Sequence, residues 1–196
     1  MDLEILLSFC VGLGLSAACG FRIFVPLLMM SLAANTGHLQ LAPGFQWIAT
    51  TPALIAFAVA TILEIGAYYI PWLDHLLDTL ATPAAVVAGT LITASMVTGL
   101  SPFLRWTLAL IAGGAAATLV QGTTVLVRGV STATTGGLAN PIVATMELGG
   151  SLLTSVIALL APPVALLLVA ALVYFVGRKL VRGRARSIRQ SGLTPI

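Results

Sequence analysis

Six long apolar segments follow one another along this chain of 196 residues, and they limit its fold more than any other feature. They cover residues 5–33, 52–70, 83–99, 104–127, 140–160 and 163–181. A transmembrane helix needs roughly 20 mostly apolar residues. Only 8% of the residues are charged, whereas a soluble domain carries about 25%. The sequence therefore predicts an all-α, polytopic membrane helix bundle of about six transmembrane helices.

The first apolar segment, 5–33, is too long for one straight transmembrane helix. It contains Gly20, Arg22 and Pro26, so we expect a broken, tilted or partly re-entrant helix. If this segment forms a complete hairpin, the number of spans rises to seven and the N-terminus moves to the outer side.

Positive charge is concentrated at the C-terminus. Six of the nine basic residues fall in the last nineteen positions: Arg178, Lys179, Arg182, Arg184, Arg186 and Arg189. Basic residues next to a transmembrane helix favour the cytoplasmic side and attract anionic lipids. We therefore predict a single transmembrane domain over 1–183 and a basic cytoplasmic tail over 184–196. A nucleic-acid partner is not expected, because no basic domain with interleaved aromatic residues is present.

Three charged residues lie within apolar segments away from the segment ends: Arg22 in the first, Glu64 in the second and Glu147 in the fifth. A charge at the centre of a membrane helix costs about 2.5–3.5 kcal/mol on insertion scales. Two interpretations stay open, namely a structural ion pair between Arg22 and one glutamate, or a site that binds or relays a solute. Two glutamates and one arginine leave one negative charge, which a proton or another cation must balance.

Two interrupted runs have a similar composition, "SAACGFRIFVP" over 16–26 and "STATTGGLANP" over 131–141. Each starts with small or hydroxyl residues, has glycine near its middle and ends in a proline that opens an apolar helix. They suggest a degenerate internal repeat, and paired interrupted segments often mark the substrate site of a transporter. The second run is either unwound backbone lining that site or a plain cytoplasmic loop. Its candidate site residues are Ser131, Thr135, Gly136, Gly137, Asn140 and Pro141.

The stretch "PWLDHLLDTLATP" predicts a short interfacial helix over 71–80, with leucines on one face and Asp74 and Asp78 on the other. With His75, these aspartates form a solvated surface, a proton-accepting mouth or, if further ligands join them, a metal site. We predict no metal and no cofactor. We also predict no enzyme, because nucleophile-elbow, zinc-protease and phosphate-loop motifs are missing.

Three ordered motifs, "GFRIFVPLL", "EIGAYYIPWLDHLLD" and "STATTGGLANP" followed by Glu147, resemble the bacterial membrane-protein family known as domain of unknown function 4126. The resemblance covers about residues 5–180 and implies a compact multi-helix protein of the bacterial inner membrane. Relatives often carry charged residues where this chain has Tyr68 and Tyr69, so no mechanism that needs a charge there is expected. The resemblance implies motif roles for Arg22, Pro26, Glu64, Pro71, Asp74, His75, Asp78, Gly136, Gly137, Asn140, Pro141 and Glu147.

Together these features favour a small-solute or ion transporter or channel. Glu64 and Glu147 would accept a proton or cation, Arg22 would be their counter-ion or the substrate's anchor, and 131–141 would line the path. The alternative is a non-transporting membrane protein that organises lipid or a partner and whose charges are paired structurally. A stripe of small residues at Gly12, Ser16 and Gly20 favours internal helix packing, with a homo-oligomer contact as the second interpretation.

Overall fold

The computed structural model describes residues 3–172, 174–175 and 178, without the side chains of 71–76 and 78. All regular structure in this part of the chain is helical, which confirms the predicted all-α fold. A 3₁₀ turn over Gln46–Ala49 precedes α3, and a π-helical segment over Ala109–Gly114 joins α5 to α6. The helices are α1 Leu3–Cys19, α2 Phe24–Asn35, α3 Thr51–Ala67, α4 Pro71–Met96, α5 Pro102–Leu108, α6 Ala115–Thr135, α7 Asn140–Leu160 and α8 Pro162–Leu172.

Three helical stretches are long and apolar enough to cross a membrane: Thr79–Met96, Pro102–Thr135 and Asn140–Leu160. At 1.5 Å per residue, the continuous helix formed by α5, the π-helical segment and α6 is about 50 Å long, well beyond the ~30 Å hydrocarbon core. The apolar helices α1, α2 and α3 are shorter, and α8 is described over Pro162–Leu172 and again at 174–175 and 178. The predicted membrane helix bundle is thus present, built from helices of unequal length.

The first apolar segment is broken into a helical hairpin. Helix α1 runs antiparallel to α4, since the Ser16 hydroxyl donates to the carbonyl of Gly89 at 2.6 Å. Helix α2 then returns, and the Ala42 amide that follows it donates to the Ser95 carbonyl at 2.7 Å. We call the end of the bundle near Ser95 and the α4–α5 loop the loop end. The opposite end, where α6 turns into α7, is called the turn end.

The hairpin does not reach the turn end. Its helices are about 25 Å and 18 Å long, so neither crosses the ~30 Å core. The connection at 20–23, which we call the interior turn, packs against α7: Arg22 Nη2 donates to the Ala144 carbonyl at 2.9 Å, and a Cβ on Gly150 would lie 3.5 Å from the Phe21 ring. Gly20 is required there, because a Cβ would lie 2.5 Å from the Ala117 carbonyl oxygen. The break predicted within 5–33 is therefore found.

The run "STATTGGLANP" is not unwound backbone, so that interpretation is wrong. Residues 131–135 are the last turn of α6, and the Thr135 hydroxyl donates to the Ser131 carbonyl at 2.7 Å within the same helix. Gly136 ends the helix with a φ of 65°, the left-handed conformation that favours glycine at a C-cap. The hydroxyls of Thr134 and Thr135 donate to carbonyls of their own helix, so they have partners without unwinding it. Only residues 136–139 form a connection.

Residues 71–80 are helical as predicted, but they are the first turns of α4 and not a separate interfacial helix. The helix continues through Pro83, as membrane helices tolerate when neighbouring groups satisfy the freed backbone. The predicted basic tail, 184–196, lies outside the described residues. The internal repeat that pairs 16–26 with 131–141 stays a prediction.

Candidate functional site

The interior turn holds Arg22 inside the bundle, where the side chain is 2% exposed. Its Nη2 donates to the Ala144 carbonyl at 2.9 Å and lies 3.5 Å from Oε2 of Glu147. The guanidinium carbon lies 3.6 Å from the centre of the Tyr68 ring, a cation–π geometry that stabilises a desolvated charge. Of the two pairings predicted for Arg22, the structure shows the one with Glu147.

A second arginine, Arg128 of α6, binds the same carboxylate. Its Nε donates to Oε1 of Glu147 at 2.8 Å, and its Nη2 contacts Oε2. This two-point geometry is the strong form of an arginine–carboxylate pair. Arg128 also lies over the Tyr68 ring, with its guanidinium carbon 4.4 Å from the ring centre. Arg128 therefore supplies the second positive charge that two glutamates and a single arginine lacked.

Glu64 of α3 has a different set of partners. Its Oε1 accepts from the Ile23 amide at 2.8 Å and its Oε2 from the Phe24 amide at 3.0 Å. These amides begin α2, whose first N–H groups have no partner within the helix. In a membrane such groups need a partner within the protein, and a carboxylate at a helix N-terminus also interacts favourably with the helix dipole. Glu64 thus acts as a cap supplied by a neighbouring helix.

These charged side chains lie in one layer of the bundle. Arg128 comes seven residues before the end of α6 at Thr135, and Glu147 seven residues after the start of α7 at Asn140. At 1.5 Å per residue, both lie about 10 Å from the turn end. We call Arg22, Tyr68, Arg128 and Glu147 the arginine cluster. With Glu64 beside it, the layer contains two basic and two acidic side chains among the described residues.

A cavity of about 490 Å³ adjoins this layer between α3 and α4. Its mouth is flanked by exposed leucines, Leu63 at 67% and Leu80 at 55% exposure, so it opens sideways from the bundle. Glu64 is the one charged side chain among the described residues that line this groove. Those residues are Ile23, Phe24, Ala60, Leu63, Glu64, Ala67, Tyr68, Leu77, Leu80, Ala81 and Ala84. An otherwise apolar groove therefore has a carboxylate in its wall.

The candidate residues of "STATTGGLANP" lie apart from this layer, at the turn end. The Ser131 hydroxyl donates to Oδ1 of Asn140 at 2.8 Å and joins α6 to α7 across the connection. Thr135 bonds within α6, Gly136 and Gly137 have positive φ values of 65° and 89°, and Pro141 lies in the first turn of α7. These residues shape the connection, and none of them lines the groove.

The side chains of Asp74, His75 and Asp78 lie outside the described set, so the proposed proton-accepting mouth stays a prediction. Where side chains are described, no group of three or more His, Cys, Asp or Glu residues is arranged to hold a metal ion.

Sequence reasoning missed two members of the layer, Tyr68 and Arg128. Arg128 follows the apolar segment 104–127 and therefore appeared to belong to a loop. The Gly136-Gly137 pair is a C-cap signal that would have extended the helix to Thr135 and placed Arg128 inside it. No comparable local signal marks Tyr68, because its role depends on where the interior turn places Arg22.

No curated protein and no solved structure matches the chain. The family described as Domain of unknown function (DUF4126) matches residues 9–182, which is nearly the whole chain. The chain therefore belongs to this family of apolar, helical membrane proteins.

Proposed function

We propose that this protein is a small membrane transporter for a solute or ion, and that Glu64 is the acidic group of its site. The observation that carries the proposal is the position of Glu64: the side chain is 7% exposed, lies in a bundle of membrane-spanning length and forms part of the wall of a 490 Å³ groove. Acidic residues at membrane depth are rare and costly, and they commonly mark ion or proton pathways.

The arginine cluster has a supporting role in this proposal. Glu147 is bound by Arg22 and Arg128 and does not line the groove, so it is a poor candidate for exchanging a substrate. Its pairing instead fixes Arg22, and with it the interior turn whose amides bind Glu64. Rigid support of this kind keeps a binding group in a defined position.

We further propose a multi-pass arrangement in the bacterial inner membrane with the turn end facing the cytoplasm. The basic residues after α8 support this orientation, because positive charge is retained on the cytoplasmic side and favours anionic lipids. Helix α8 follows directly after α7 at the loop end and packs along α1, where Gly14 lies against Ala165. With α1 and α2 as a hairpin, the N-terminus would lie on the side opposite to the C-terminal tail.

The test is a flux measurement with purified protein in liposomes that contain a pH-sensitive dye. A potassium gradient with valinomycin sets the membrane potential, and a panel of small cations, amines and neutral solutes is added outside. We expect proton or solute flux above that of protein-free liposomes, and loss of most of that flux in Glu64→Gln. Glu4→Gln, which changes an exposed glutamate at the loop end, is the matched control and should retain full flux.

Two outcomes would overturn the proposal. One is wild-type protein that moves neither protons nor any solute of the panel. The other is a folded Glu64→Gln protein with unchanged flux, since the groove carboxylate would then be dispensable.

A structural role without transport is the second candidate, and the two arginines on Glu147 are the observation that favours it. A charge-free variant of the cluster separates the two functions. If Arg22→Met, Arg128→Met and Glu147→Met together recover the folding that each single change loses, the cluster is structural; flux in this triple variant then shows whether the groove works without the native charges. A folded triple variant without flux, beside a wild type without flux, would favour the structural role.

A further inference from the structure

The groove beside Glu64 combines an apolar wall with one negative group among the described residues, and this combination favours one class of ligand. We propose that the groove binds lipophilic cations, meaning ammonium or phosphonium ions that carry several apolar or aromatic groups. The inference rests on the proposed function and names the substrate class of that same site. The cation would lie next to Glu64, and its apolar groups would contact Phe24, Leu77 and Leu80.

Charge complementarity decides between a cation and an anion. Glu64 is the one charged group that lines the groove among the described residues, and its two hydrogen-bond partners there are the backbone amides of Ile23 and Phe24. Each carboxylate oxygen has a second lone pair, so the group can accept these bonds and still attract a cation. The nearby arginines do not line the groove, and both bind Glu147. An anion would meet Glu64, and none of the described residues that line the groove carries a positive charge to balance it.

The size and opening of the groove also fit such a ligand. Its volume of about 490 Å³ lies within the range of roughly 300–1,000 Å³ typical of sites for drug-sized molecules. The mouth between Leu63 and Leu80 faces sideways, so a ligand dissolved in the hydrocarbon phase can enter without crossing the bundle. Phe24 and Tyr68 add aromatic surface, which attracts cations as well as apolar groups.

The test compares two probes of the same shape and opposite charge, tetraphenylphosphonium and tetraphenylborate. Binding to full-length protein in lipid nanodiscs is measured by equilibrium dialysis, with protein-free nanodiscs subtracted. We expect saturable binding of tetraphenylphosphonium and no saturable binding of tetraphenylborate. Glu64→Gln should weaken phosphonium binding by roughly 30-fold or more, because a buried charge loses its partner.

Glu64 also caps α2, so a second variant leaves it intact. Ala84→Phe fills the groove from α4 and should abolish phosphonium binding, whereas Glu4→Gln, at the other end of the bundle, should not change it. Equal binding of the two probes, or unchanged binding in both groove variants, would show that the groove accommodates lipid chains only, and would overturn the inference.

The binding assay and the flux assay test the substrate class and the transport function independently. Flux that requires Glu64 without phosphonium binding would overturn the substrate class and keep the transporter. Phosphonium binding without any flux would keep the site and overturn transport.

Discussion

Glu64 and Glu147 are the same residue type in the same layer of the bundle, with nearly equal exposures of 7% and 6%, yet their surroundings differ. Glu147 is held by two arginines and lies away from the groove. Glu64 is held by two backbone amides and lies in the groove wall. One carboxylate is paired with two arginines, and the other forms no ion pair within the described residues and lies beside an apolar groove.

The difference shows that burial alone does not identify a functional charge. A buried carboxylate is inert when every neighbouring charge is already matched to it. A carboxylate held by uncharged backbone donors has no cation in direct contact among the described residues and can still attract one. Substitutions at Glu147, at its two arginines and at Glu64 should separate a paired carboxylate from one that can still bind a cation.

Glu147→Gln should cause the largest loss of stability, about 3–5 kcal/mol, because removing one partner of a buried pair leaves the others uncompensated. Here two arginines lose their carboxylate at once. The measurement is the free energy of unfolding in mixed detergent micelles with increasing SDS, with Glu4→Gln as the exposed control. A loss no greater than that of the control would contradict the structural role of Glu147.

Double-mutant cycles should rank the two arginines within the roughly 0.5–3 kcal/mol that coupled neighbours show. We expect a larger coupling energy for Arg128 with Glu147, which make a two-point contact, than for Arg22 with Glu147, whose contact is 3.5 Å. Each cycle uses methionine at both positions and the unfolding assay above. The reverse order would mean that the interior turn, and not α6, is the main support of Glu147.

Glu64→Ala should cost about 0.5–2 kcal/mol, the range for losing a helix cap, because the Ile23 and Phe24 amides lose their acceptor. Glu64→Gln should cost less, since its amide oxygen can still accept from one of them. Both values come from the same unfolding assay. If Glu64→Gln destabilised the protein as much as Glu147→Gln, the two carboxylates would not have separate roles.

The sequence predicted the bundle and the broken first helix, because apolar length and the positions of Gly20 and Pro26 are local signals. It offered the pairing of Arg22 with a glutamate as one of two interpretations, because a charge in lipid is costly. It failed to distinguish the two interrupted runs. The run over 131–141 ends a long helix at the bundle end, while the run over 16–26 turns inside the bundle. Their compositions are similar, and only tertiary packing decides which turn lies at depth.

The groove was not predictable either. Its wall combines Glu64 and Ala60 of α3 with Leu80 and Ala84 of α4, and no sequence period links these residues. Glu64 and Glu147 are alike in the sequence and differ through their partners. The partners of Glu64 come from the interior turn and the start of α2, and those of Glu147 come from the interior turn and α6.

Chemical labelling with dicyclohexylcarbodiimide tests whether Glu64, and not Glu147, can be reached from the lipid. This apolar reagent reaches carboxyl groups from the hydrocarbon phase and adds to them to give a stable acylurea. Membranes that contain the protein are treated, and the modified residue is located by peptide mass spectrometry. We predict modification at Glu64, its loss in Glu64→Gln and its suppression by tetraphenylphosphonium, with Glu147 unmodified. Modification of Glu147 with Glu64 left intact would contradict the separate roles assigned to the two carboxylates.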